Sequence, residues 1–142
     1  MAHGMSMDLA AIRAFIAQEF PQTNVVIEAV GDKTCRVRQP IDHSHLRPGG
    51  TVSGPTQMFV ADIAIYIAIL HELGPVALAV TTNLAINFLN KPVAHADIVG
   101  ECKLIKLGKR LVVGEVYIYS VGSTEPVAHV VGTYSIPPGA IQ

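Results

Sequence analysis

The sequence predicts an α+β domain in which an antiparallel sheet wraps one long apolar helix. Three observations carry that expectation. Residues 53–70 are apolar on every side, and Asp62 is the only charged side chain between Arg47 and His71. A helix that is apolar all round belongs in a core. After it come four Val-, Ile-, Leu- and Tyr-rich segments, residues 76–89, 97–107, 111–121 and 127–136. The turn-like linkers Asn90-Lys91-Pro92, Gly108-Lys109-Arg110 and Gly122-Ser123-Thr124-Glu125-Pro126 separate them, which predicts long strands in antiparallel hairpin succession.

The preceding elements are read the same way. Residues 1–4, ahead of a second start at Met5, look like a cloning remnant and are set aside. Asp8 is placed to cap an N-terminal helix over residues 8–20, whose apolar Leu9, Ile12, Phe15 and Ile16 share one face and which must end before Pro21. Residues 25–30 and 34–37 read as two strands about the turn Gly31-Asp32-Lys33. Residues 40–50 are a loop, and its His43-Ser44-His45, two imidazoles at i and i+2, reads as a solvated loop rather than a metal site. Pro55 suits the first turn of the long helix, and Gly74-Pro75 ends it.

Composition narrows the function. The 142 residues make one domain, 1–142, with half its residues apolar and 15% charged. So little charge favours a large subunit interface, hence a homodimer or a dimer of dimers. A formal net charge of −1 gives no reason to expect nucleic acid or an anionic membrane. Cys35 and Cys102 form no framework and are expected to be reduced core residues. No signal peptide is visible, and the longest apolar run reads as too short for a bilayer, so a cytoplasmic protein is expected. No metal or cofactor is expected.

Asp62 is the residue to explain. An unpaired carboxylate in an apolar interior costs several kcal/mol, as an order of magnitude, so it is either hydrogen-bonded structure or part of a site. The start of the same helix favours a site. Gly54 permits close approach to the backbone, and the free N–H groups and positive dipole end there favour partial negative charge.

Ser53-Gly54-Pro55 and Phe59-Val60-Ala61-Asp62, with the element order over about residues 23 to 136, resemble the hotdog fold and, within it, the PaaI-like (phenylacetyl-CoA-type) thioesterases. Those carry His-Gly-Gly at the start of the central helix and an Asp nine residues after the His, which is the spacing from Ser53 to Asp62. Residues 81–89 resemble the family's next strand, and Leu107-Gly108-Lys109-Arg110 its Gly-Lys or Gly-Arg hairpin turn. The resemblance implies hydrolysis of an acyl-CoA thioester at a site shared by two subunits. It implies Asp62 as general base or nucleophile, the Gly54 N–H as the donor that polarises the thioester carbonyl, and Thr81 as the hydroxyl that places water. Ser53 stands where the family has His, and Arg47 where it often has Asn. Both are carried as substrate-binding candidates, with Gln57, Asn87, Lys109 and Arg110.

The departures at Ser53 and Arg47 keep a second function open, an acyl-CoA-binding protein of the same fold that does not hydrolyse. A hydratase or dehydratase would need a His paired with an acid against the central helix, and Pro48 stands where that His would be sought. Phe59, Tyr66 and Phe88 are candidates for the acyl pocket.

Overall fold

The computed structural model describes residues 6–138, so the remnant proposed for residues 1–4 lies outside them. Helix α1, Leu9–Glu19, opens on the Asp8 side chain, which accepts the Ala11 N–H at 2.8 Å, and it buries Ile12 and Ile16. Strands β1, Val26–Gly31, and β2, Thr34–Gln39, pair antiparallel about a turn in which Lys33 takes a positive φ of 58°. His43–His45 is a short 3-10 turn capped by Asp42. Helix α2, Gly54–Leu73, follows and ends on Gly74 at a φ of 88°. Then come β3, Val80–Phe88; β4, Ile98–Leu107; β5, Leu111–Ser120; and β6, Pro126–Ser135.

The six strands form one antiparallel sheet in the order β1-β2-β4-β5-β6-β3. This is the hotdog fold, a curved sheet around a long central helix. The hairpin succession expected after α2 holds from β4 to β6 and fails at β3, which crosses over to pair with β6 at the sheet edge. Residues 76–79 also differ from the expected strand. The Ala79 N–H donates to the Val76 carbonyl and turns the chain before β3 begins.

From Ile63 to Leu70 every residue of α2 is buried. Contrary to the sequence expectation, its 20 residues are long and apolar enough to cross a bilayer by length and composition, but two thirds of that window is buried inside the protein. The helix approaches the sheet closely because three strands present glycine to it. A Cβ at Gly132 would lie 2.7 Å from Ile65, one at Gly114 2.9 Å from the same side chain, and one at Gly100 3.0 Å from Val60.

Cys35 and Cys102 face each other across β2 and β4 as free, buried thiols. Contact with Cys102, and then burial, push the Cys35 thiol well up, so it stays protonated and donates to the Ala64 carbonyl at 3.0 Å. Outside β1, β2 and β4 run ion pairs linking Glu28, Arg36, Arg38, Asp97 and Glu101. On β6 and β5, His129 Nε2 lies 2.8 Å from Glu115 Oε2.

Candidate active site

The two halves of the expected site sit at separate places on α2. At its N-terminus Ser53 is the N-cap, its hydroxyl 3.4 Å from the Thr56 N–H and 3.0 Å from the Thr56 hydroxyl. The Gln57 N–H donates to the Ser53 carbonyl, and Pro55 has no N–H to offer. The Gly54 N–H is therefore the one donor of this turn with no acceptor among the described residues. Gly54 lines a cleft of about 570 Å³ whose walls also include Arg47, Gln57, Phe88 and Lys91. Gly54 also lets β3 come close, since a Cβ there would stand 3.2 Å from the Phe88 ring.

Gln57 is 3% exposed, and its amide N–H reaches the Val52 carbonyl at 3.3 Å. Its Oε1 is the one buried side-chain polar atom among the described residues with no partner. A buried orphan acceptor costs about 1–3 kcal/mol, and Gln57 is among the residues that line the cleft beside Gly54.

Two turns along, Asp62 is only partly buried. Its Oδ1 accepts the Thr81 hydroxyl at 2.7 Å and the Tyr134 hydroxyl at 2.8 Å. No side chain donates to Oδ2 among the described residues, and that atom remains open to solvent. The carboxylate borders a second cavity, of about 360 Å³, walled mainly by Phe20, Phe59, Ile63, Tyr66, Val80 and Tyr134. Phe20 meets Tyr66 edge-on, and Tyr66 stacks on Tyr134. Burial, with the charge of Glu19 behind it, pushes the Tyr66 hydroxyl up to about 12. Burial and then the Asp62 charge raise Tyr134 further, so its hydroxyl stays protonated and has a proton to donate.

The structure thus brings Asp62 and Thr81 into contact, and Gly54, Arg47 and Gln57 onto one cleft. Lys109 and Arg110 lie in the β4–β5 turn, where the Arg110 carbonyl accepts the Ile136 N–H, two residues past Tyr134 and so at the Asp62 end of the sheet. Asn87 is not brought in. It pairs with His129 on the outward face, away from α2, because a bulge between Thr81 and Asn83 shifts the alternation of β3 by one residue. Tyr134 is the residue that sequence reading missed. Its signal was present: a phenol on the inward face of β6 needs a partner, and α2 carries one charged side chain there.

The model of the thioesterase superfamily matches residues 49–127, more than half of the chain. Among solved structures, a candidate thioesterase from Silicibacter sp. TM1040 is similar at 40% identity, over 96% of each chain, with a TM-score of 0.88. Thioesterase superfamily member 2 of zebra fish shares the fold at 18% identity, over 93% of this chain and 100% of its own, with a TM-score of 0.81. A variant of the phenylacetic acid degradation protein PaaI from Thermus thermophilus does so at 21% identity, over 82% and 96%, with a TM-score of 0.70. No curated protein matches the chain. With the fold, the family match and a 40% identical relative over nearly the whole length in agreement, the chain belongs to the thioesterase superfamily.

Proposed function

We propose that the protein hydrolyses acyl-CoA thioesters, with Asp62 as general base or nucleophile and the Gly54 N–H as oxyanion donor. The observation that carries this reading is the Asp62 carboxylate itself, held through one oxygen and free at the other on the wall of an apolar cavity. As general base, Asp62 takes a proton from water while that water attacks the thioester carbon. The carbonyl oxygen becomes an oxyanion facing the unpaired Gly54 N–H and the positive end of α2. Collapse breaks the C–S bond and sends its electron pair to sulfur. A free thiol titrates near 8.5, so a thiolate leaves without a strong acid beside it. The chemistry therefore tolerates Ser53 where the family has an imidazole.

One protomer does not present both groups to one substrate. Gly54 and Asp62 are eight residues apart on a helix, about 12 Å, and they border different cavities. Two subunits that pair the Gly54 end of one with the Asp62 end of the other complete the site, in a homodimer or a dimer of dimers. In this arrangement the acyl group enters the aromatic cavity, Arg47, Lys109 and Arg110 meet the CoA phosphates, and Gln57 helps line the cleft that takes the pantetheine arm.

The test is Asp62→Asn, assayed for melting temperature and for hydrolysis of an acyl-CoA panel. Turnover is expected to fall by about 10²-fold or more, the scale of losing a general base, with fold and assembly intact. Full activity in the folded variant would overturn the mechanism. The Ser53 hydroxyl is engaged as a helix cap, so Ser53 does not stand in for the family's imidazole, which favours a second reading of acyl-CoA binding without turnover. Saturable binding by a wild-type protein that hydrolyses none of the panel would establish it.

A further inference from the structure

We propose that Tyr134 is a positioning residue for the reaction: with Thr81 it occupies Oδ1 of Asp62 and leaves Oδ2 as the oxygen that does the chemistry. The inference rests on Asp62 being the reacting carboxylate. The sheet builds the arrangement. Thr81 on β3 and Tyr134 on β6 are directly opposite partners on the inward face, so strand pairing sets two hydroxyls side by side against α2. Each hydroxyl has one proton to give, and an ionised carboxylate oxygen takes about two donors. At 2.7 and 2.8 Å, the two hydroxyls fill Oδ1. Oδ2, unpaired and open to solvent, is left to meet water or the thioester carbon.

The two donors are not equivalent. Thr81 is exposed and turns about a single side-chain bond. Tyr134 is 4% exposed, and its ring is stacked on Tyr66 with centroids 6.0 Å apart. Its hydroxyl also lies 3.1 Å from the Asp62 backbone carbonyl, so it meets both the side chain and the main chain of the same residue. Tyr134 is thus the rigid member that fixes the carboxylate plane, and small misplacements of a reacting group are costly in rate.

The experiment is Tyr134→Phe, which keeps the ring stack and removes the hydroxyl, made in the wild-type protein and in Asp62→Asn. In the wild-type background kcat is expected to fall by about 10-fold or more with KM little changed, because the carboxylate loses its alignment and the binding surface keeps its shape. In the Asp62→Asn background the same change should leave the residual turnover unaltered, the signature of two residues acting as one unit. Unchanged kcat in the wild-type background overturns the proposal. So does an equal loss in both backgrounds, or a variant that fails to fold, since either makes the hydroxyl architectural. An Asp62→Asn protein with full activity would instead remove the hydrolysis mechanism on which this rests, so the two failures are told apart.

Discussion

Ser53 shows how a side chain can change employment within a family's backbone frame. The family places an imidazole above the first glycine of the helix, and here a short hydroxyl caps α2 through Thr56. Restoring the imidazole with Ser53→His therefore removes a cap, and losing a Ser cap typically costs about 1 kcal/mol. Denaturant unfolding should show a loss of that size, and acyl-CoA turnover per folded molecule should be retained or raised. A stable Ser53→His protein with no turnover would show that the Ser53 hydroxyl itself contacts substrate.

Among the elements, the seating of α2 decides where Asp62 stands. Gly114 and Gly132 are paired across β5 and β6 directly beneath Ile65. A methyl group at Gly132 would lie 2.7 Å from Ile65 and 2.8 Å from Leu84, which is overpacking. Gly132→Ala is therefore expected to destabilise by about 1–3 kcal/mol, the usual range for an extra methylene in a packed core. It should also lower turnover, because Tyr134 is two residues along the same strand and depends on the same helix-to-sheet distance. Ala replacement at Gly122, where the φ is 88° and nothing lies within 4 Å, is the contrasting case: strain without a clash. Calorimetric melting of Gly132→Ala measures the first effect, and kcat on folded protein the second.

For the whole molecule, the edge strand β3 is the feature that asks for a partner. Its nine residues carry no charge and no proline, the side chains that most often guard an exposed edge, and its one bulge lies near its start, between Thr81 and Asn83. Val80 and Phe88 at its ends, with Leu78 and Leu89 just beyond, are each about half exposed or more. The charged ladder is confined to the opposite half of the sheet, on β1, β2 and β4. Sedimentation at micromolar concentration is expected to show a dimer or tetramer with little monomer. A stable, active monomer would count against both the assembly and the shared site.

Much of this architecture was legible before any coordinates. Asp8 as a cap, the β1–β2 turn and the apolar helix ending at Gly74 all follow from local pattern, because caps, turns and helical periodicity involve residues close in sequence. So did the isolation of Asp62, since one charge in a long apolar window is visible in the sequence. Tertiary structure decided what local pattern cannot hold. That β3 crosses to β6 depends on the path of residues 89–97, and a strand's apolar pattern does not name its neighbour. Thr81 and Asn87 are both odd-numbered and would share a face in a regular strand; one bulged residue sends Thr81 to the carboxylate and Asn87 to the outside. Tyr134, more than seventy residues from Asp62 along the chain, meets it only because the sheet closes over the helix, and that contact chooses which oxygen of Asp62 stays free.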